Sequence, residues 1–262
     1  MDLGIKGLRV LVTAGAGGIG LKIAESFLGE GARVHVCDVD PQALAATEGR
    51  HADLTASECD VSDRGQVKKL FDTALEKLGG LDCLVNNAGI AGPTGAVQDI
   101  EPEQWDRCID INLTGQFNCA RLAIAHLTAQ TGGQRNCSMM NVSSLAGRFG
   151  FAMRAPYAAS KWAVIGFTKS LALELGPSGV RVNALLPGIV AGERQRRVLE
   201  AKAKARGMSF EEIERLAFTN TSIKEYVSAE QLADLVVYTA SPRARTISGQ
   251  ALSVCGDTNM LT

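Results

Sequence analysis

The sequence predicts an α/β fold, a doubly wound parallel sheet in a single domain over residues 1–262. Two observations carry this. Short apolar, β-branched runs alternate along the chain with longer amphipathic stretches, and the apolar runs are continuous instead of alternating. Strands buried on both faces read in that continuous way, and parallel strands need crossover helices between them. Those crossovers are right-handed almost without exception, which places helices on both faces of one open sheet.

Six runs read as strands: RVLV (9–12), RVHVC (33–37), LDCLV (81–85), SMMNV (138–142), RVNALL (181–186) and ALSV (251–254). Helical patterns begin at Gly18 and run to about Gly29, then cover roughly Arg64–Leu78, Pro102–Ala129, Pro156–Leu175 and Ala229–Ala240. One stretch differs in texture. Gly192–Lys224 is highly charged and rich in Arg, Glu and Ala. It reads as one or two surface helices, an insertion at about 190–226 that follows a strand's C-terminal end and covers a ligand cleft.

Composition narrows the function classes. With 46% hydrophobic and 21% charged residues and a formal net charge of −1, the chain offers no electrostatic case for nucleic acid or an anionic membrane. No apolar run approaches the roughly 20 residues that span a bilayer, and MDLGIKGLRVLV lacks the pattern of a secretory signal. Seven cysteines, an odd number with no CxxC, read as reduced and mostly buried thiols of a cytoplasmic protein. His35, His51 and His126 lie far apart, so no metal site is expected.

The first strand runs directly into VTAGAGGIG, which opens a helix. Gly15, Gly17 and Gly20 fit GxGxxG, and Gly18 with Gly20 fits the looser TGxxxGxG that also takes in Ile19. Glycines let the backbone turn tightly and approach a pyrophosphate, which the helix N-terminus stabilises through free N–H groups. Asp38 ends the next strand, about twenty residues on. A carboxylate there accepts the hydroxyls of an adenosine ribose and repels a 2′-phosphate. Gly17 and Val39, where a basic residue would favour NADP, are not basic, so the cofactor expected is NAD. Further along, CDVS (59–62) follows a third strand and places Asp60 and Val61 at an adenine. NNAG (86–89) follows a fourth, with Asn87, Ala88 and Gly89 bordering the cofactor while the asparagines stabilise the sheet.

In APYAASKWA (155–163), Tyr157 and Lys161 stand four apart on an alanine-rich helix and so share a face. A cation near a phenol favours its charged form, which makes the pair a proton-transfer device; an ordinary solvated helix face carries such a pair equally well.

These motifs together resemble the short-chain dehydrogenase/reductase family, over nearly the full length and in order. TAGAGGIG, Asp38 and NNAG are followed by Asn112 in NLTG, by NVSS (141–144) with a serine 13 residues before the tyrosine, by YAASK (157–161) and by Pro187–Gly188. The resemblance implies a Rossmann-type fold and a set of roles. Tyr157 is the general acid/base, and Lys161 holds the nicotinamide ribose and lowers the tyrosine's pKa. Ser144, with Ser143 the alternative, polarises the substrate oxygen. Asn112 holds a water that links Lys161 to solvent. Similar proteins pack as dimers or tetramers through the Tyr157 helix and the one before it, so a homo-oligomer is expected.

Two positions depart from the family. Ala14 replaces the first glycine of TGxxxGxG; if that place needs positive φ, Gly15 is there to absorb the turn. Gly192 replaces a threonine five residues beyond Pro187, which leaves backbone near Ile189 and Val190 to hold the carboxamide. Specificity is expected in Ala146–Pro156 and in the segment after Pro187. These hold Arg148, Arg154, Glu193, Arg194, Arg196 and Arg197, and an arginine fork suits a carboxylate. The substrate expected is a small polar secondary alcohol or ketone, a sugar-derived hydroxy or keto acid among the candidates. The alternatives are a non-catalytic dinucleotide-binding protein and an NADPH-dependent carbonyl reductase.

Overall fold

The structure is a computed structural model that describes residues 2–47, 49–129 and 136–261. In chain order its elements are β1 (Arg9–Thr13), α1 (Gly18–Gly29), β2 (Arg33–Asp38), α2 (Pro41–Ala45), β3 (Leu54–Glu58) and α3 (Arg64–Leu78). Then come β4 (Cys83–Asn86), α4 (Pro102–Ile109), α5 (Gly115–Ala129), β5 (Ser138–Val142), α6 (Ala155–Leu175) and β6 (Arg181–Pro187). The chain closes with α7 (Glu193–Arg206), α8 (Phe210–Ala217), α9 (Ala229–Ala240) and β7 (Ala251–Val254).

All seven strands run parallel in one sheet, ordered β3-β2-β1-β4-β5-β6-β7. The chain winds outward from β1 in one direction, then returns to β4 on the other side. This is the doubly wound topology, and the place where the winding reverses lies between β1 and β4. On one face Val67, Leu70 and Phe71 of α3, Cys119, Ala123 and Leu127 of α5 and Leu171 and Leu175 of α6 cover the strands. On the other, Ile23, Ala24 and Phe27 of α1 pack with Leu232, Val236 and Val237 of α9. Each fully buried side chain of this size stabilises the fold by about 1.5–3 kcal/mol, relative to exposure. Six of the seven cysteines are buried and none is in a disulfide.

The expected elements are present, with three differences. The strand ahead of CDVS is LTASE (54–58), which shows no apolar run because it is the sheet edge and only half buried. The expected helix Pro102–Ala129 is broken by a π-helical segment at Asp110–Thr114. The turn expected at Gly15 falls one residue earlier: Ala14 has φ +49°, and Gly15 is not in the left-handed region. Gly15 is required for space instead, since a Cβ there would stand 2.7 Å from Val36. An alanine in that conformation costs about 1–2 kcal/mol.

The charged insertion forms α7 and α8, which share a small apolar core of Leu199, Ala203 and Ile213. Among the described residues, no helix is long and apolar enough to cross a membrane, and no group of His, Cys, Asp and Glu could hold a metal ion.

Candidate active site at the C-terminal edge of the sheet

At the winding reversal, the loop after β1 is built to receive an anion. Gly17 caps α1 with no side-chain hydrogen bond, so the first-turn N–H groups are left free. Gly18 has φ +52°, and nothing stands within 4 Å of where a Cβ on Gly17 or Gly18 would project. Gly20 is needed for closeness: a Cβ there would meet the Ala14 carbonyl at 2.1 Å and Asn87 Nδ2 at 2.5 Å. Ile19 follows in the first turn, half buried. These free N–H groups and open approaches fit the pyrophosphate of a nicotinamide dinucleotide.

Asp38 closes β2 beside this loop. Its carboxylate accepts from the backbone N–H of Ala16 at 3.3 Å and of Val39 at 2.8 Å, which ties the glycine loop to the strand end. Three such bonds, counting Asp40 N–H at 3.3 Å, leave lone-pair capacity for ribose hydroxyls. Val39, which follows Asp38, is 59% exposed and carries no charge. Asp60 is more committed than the sequence reading had it. Its carboxylate accepts from the Ser62 hydroxyl and pairs with Arg107 at 3.1 Å, and it is held below the usual carboxylate range by those bonds and that charge despite its partial burial. Val61 is buried, and its carbonyl accepts from Asn118.

The NNAG turn locks the loops together. Asn87 Nδ2 donates to the carbonyls of Thr13 and Ala14, while Thr13 Oγ1 accepts from the N–H groups of Asn87 and Ala88. Asn86 reaches Asn141 on β5 at 2.9 Å. At Gly89 a Cβ would stand 3.0 Å from Asn112 Oδ1 and 3.3 Å from Lys161 Nζ. That contact brings Asn112 and Lys161 to one place.

Asn112 sits in the π-helical segment and is fully buried. Its side chain accepts from Ile90 N–H at 2.7 Å and donates to Ile90 O and Ser160 Oγ at 3.1 Å. The amide therefore fastens α4–α5 to the loop after β4 and to α6. Single-turn π segments are frequent at functional sites.

On α6, Lys161 is 2% exposed and donates to the Val142 carbonyl at 2.9 Å. Burial, helped by the positive charge of Arg194, pushes its ammonium down to about 7. Lys161 Nζ lies 5.7 Å from the centre of the Tyr157 ring, so the four-residue spacing does aim both groups to one side. The two serines separate clearly. Ser143 is buried and donates its hydroxyl to the Lys161 carbonyl at 2.7 Å, a structural tie. Ser144 is half buried and only accepts, from Ala146 N–H at 3.1 Å, so its own proton is not used in that bond.

Beyond β6, Pro187 ends the strand and Gly188 passes so close to Cys255 that a Cβ would meet it at 2.7 Å. Val227 bridges the next residues, its N–H on the Ile189 carbonyl and its carbonyl on Ala191 N–H. The Ile189 carbonyl is thus used, and the N–H and carbonyl of Val190 are not part of that bridge. Gly192 has φ +135°, which excludes the threonine side chain of the family pattern.

The arginines divide. Arg148 donates to Ser253 Oγ and the Ala251 carbonyl on β7. Glu193, Arg194 and Arg197 are exposed on the first turns of α7, and Arg196 pairs with Glu200. Arg154 turns inward and is 2% exposed, with its guanidinium 5.2 Å from the centre of the Tyr157 ring. Sequence reasoning missed Lys202, buried on α7 with Nζ 4.1 Å from the Phe151 ring centre. One signal was present: Lys202 lies a turn from Leu199 and beside Ala203, on the buried face of its helix.

Comparison with known proteins agrees with this geometry. The sequence profile of a family described as short chain dehydrogenase matches residues 9–203. The chain is 33% identical over 257 residues to the D-beta-hydroxybutyrate dehydrogenase of Cupriavidus necator, covering 96% of this chain and 98% of that one. Among solved structures, an NAD+-bound xylitol dehydrogenase superposes with a TM-score of 0.90 at 27% identity, covering 96% and 99% of the two chains. An actinorhodin polyketide ketoreductase variant with NADPH superposes with a TM-score of 0.88 at 35% identity, covering 94% and 95%.

Proposed function

Since the chain belongs to the short-chain dehydrogenase/reductase family and is an oxidoreductase of that type, we propose that it uses NAD to interconvert a secondary alcohol and a ketone on a small polar substrate. The observation that carries this reading is the buried Lys161 beside the Tyr157 ring, with Asn112 and Gly89 against it, next to a glycine loop tied to Asp38.

In this reading Gly15, Gly17, Gly18, Ile19 and Gly20 hold the pyrophosphate, and Asp38 holds the adenosine ribose. Asp60 and Val61 border the adenine, and Asn87, Ala88 and Gly89 border the rest of the dinucleotide. Pro187, Gly188 and Val190 face the carboxamide. The dinucleotide, when bound, supplies the hydride. Tyr157 moves the proton at the substrate oxygen, and Ser144 donates a hydrogen bond to that oxygen. Lys161 presents its ammonium to the nicotinamide ribose, and Asn112 fixes the helix junction around it and holds the water of the proton path.

NAD is favoured over NADP by the carboxylate of Asp38 and the exposed, uncharged Val39. A second reading, an NADPH-dependent carbonyl reductase, is favoured by the NADPH-bound ketoreductase at 35% identity. Calorimetric titration of the purified protein with NAD and NADP side by side separates them. NAD binding at least about tenfold tighter, a difference of about 1.4 kcal/mol, is expected; tighter NADP would reverse the assignment. We also propose a homo-oligomer assembled through α5 and α6, on which Phe117, Trp162 and Leu173 are exposed. Light scattering that gave a monomer would refute it.

A further inference from the structure

The turn after β3 is held by side chains from three helices. β3 is the edge of the sheet, so a strand lies on one side of it only. At its end the Cys59 N–H donates to the Asp38 carbonyl at 2.9 Å. Gln66 Oε1 of α3 accepts the Asp60 N–H at 2.9 Å, and Asn118 Nδ2 of α5 donates to the Val61 carbonyl at 3.0 Å. From α4 comes Arg107, in the last turn of that helix. Its Nη2 donates to Asp60 Oδ2 at 3.1 Å and its Nη1 to Ser62 Oγ at 3.4 Å. Ser62 in turn donates its N–H and its hydroxyl to Asp60 Oδ1, at 2.9 and 2.6 Å. Arg107, Ser62 and Asp60 thus close a ring of hydrogen bonds that fixes the plane of the carboxylate.

Oδ1 takes two donors and Oδ2 takes one, while a carboxylate oxygen has room for two. One lone pair of Oδ2 is left for a donor from outside the ring. The next residue, Val61, belongs with Ala88 and Ile111 to one apolar cluster. An ion pair between side chains 56% and 25% exposed, Arg107 and Asp60, contributes little to the fold by itself. Its consequence is the aim of the carboxylate.

We propose that Arg107 is a positioning residue for the adenine of the cofactor. It sets Asp60 Oδ2 to accept the adenine 6-amino N–H, so that the protein tells adenine from a purine with an oxygen at that place. This rests on the dinucleotide reading above, which places Asp60 at the adenine, and adds the residue that aims it. Freed from Arg107, the carboxylate turns about its Cβ–Cγ bond and Oδ2 leaves the amine for solvent. Lysine would keep a cation there without the fork that spans Asp60 and Ser62.

The test titrates the protein calorimetrically with NAD and with nicotinamide hypoxanthine dinucleotide, which carries a 6-oxo group in place of the amine. The wild type is expected to bind NAD at least about tenfold tighter, a difference of about 1.4 kcal/mol. Arg107→Met should bring that ratio below about threefold by weakening NAD, with the oxo analogue changed by less than about twofold. Arg107→Lys should keep an intermediate ratio. Asp60→Asn, whose amide can turn a donor toward the oxo group, should remove the preference. Each variant's folding is read from its thermal transition. If Arg107→Met does not fold, Arg107→Lys decides, and a full wild-type ratio there overturns the inference. A ratio that survives Arg107→Met, even with a lowered transition, makes the pair structural and overturns it too. Equal binding of the two dinucleotides by the wild type removes Asp60 from the adenine, and the role of Arg107 with it, while the alcohol–ketone reading still stands on turnover. Binding of neither sinks the dinucleotide reading and this inference together.

Discussion

At the N-terminal end of the strands, Arg9 and Arg181 are held by several acceptors each; at the C-terminal end, Lys161 has the Val142 carbonyl and Arg154 the Ala91 carbonyl and Thr94 Oγ1, with Arg154 Nε–H left without a partner and the Tyr157 ring between the two cations. Arg9 forks onto Asp82 with bonds of 2.8 and 2.6 Å and reaches the Gly79 carbonyl at 2.5 Å. That hydrogen-bonded pairing raises its pKa further. Arg181 donates to the carbonyls of Thr239, Ala244 and Ser241 and to Asn136 Oδ1. At the other end burial pushes Lys161 down to about 7 and Lys202 to about 8. Burial opposes the charge of Arg181 as well, so the contrast between the two ends lies in Arg9, whose charge the Asp82 carboxylate answers, against Lys161, whose charge no carboxylate is shown to answer.

The sharpest way to break this comparison is to remove Asp82. Asp82→Ala leaves Arg9 buried and unpaired and is expected to cost about 3–5 kcal/mol, measured by chemical denaturation. A loss under 1 kcal/mol would show that the pair is decorative.

Lys161→Met probes the opposite end. A lysine whose folded value lies below its unfolded one is protonated in the unfolded chain and neutral in the folded chain between those values. Its cost is therefore fully present below about pH 7 and disappears as pH rises toward 10.5. The wild-type protein without dinucleotide should gain stability from pH 7 to pH 10, and Lys161→Met should flatten that gain by about 2–4 kcal/mol. Lys202 contributes to the same window in both proteins, so the difference between them reports Lys161 alone. Parallel curves would contradict the assignment.

Arg154→Met should have the smallest effect on stability, within about 1 kcal/mol of wild type, because relief of a buried charge with an unpartnered Nε–H offsets the lost bonds to Ala91 and Thr94, and no carboxylate is left behind. A loss as large as that of Asp82→Ala would place Arg154 with the structural arginines.

Most of the scaffold was legible in the residues. The bounds of α1 and α3 follow from the glycine loop and from apolar spacing, and the observed elements coincide with them. β3 was expected ahead of CDVS but its bounds were not legible, because an edge strand such as LTASE need not be apolar. Composition and periodicity did not mark the π segment, because one extra residue per turn leaves composition unchanged; the resemblance of Asn112 to the family's helix-kink asparagine was the one signal of it. Sequence alone also could not sort Arg148 from Arg154. Both lie in one short glycine-bearing stretch, and only the fold sends one to β7 and the other beneath Tyr157. Ala14 shows the same limit: the residue type was visible, but that the alanine itself takes the turn, and not Gly15, was not.

The measurement that tests the central claim most directly is turnover by Tyr157→Phe, followed at the nicotinamide absorbance over a panel of hydroxy acids and polyols, beside NADH binding by the same variant. Removing a general acid/base is expected to lower kcat by roughly 10²–10⁴-fold while NADH binding stays within about twofold, a change under about 0.5 kcal/mol. Turnover equal to that of the wild type on a substrate the wild type uses would contradict the account, since the proton would then be moving by another route.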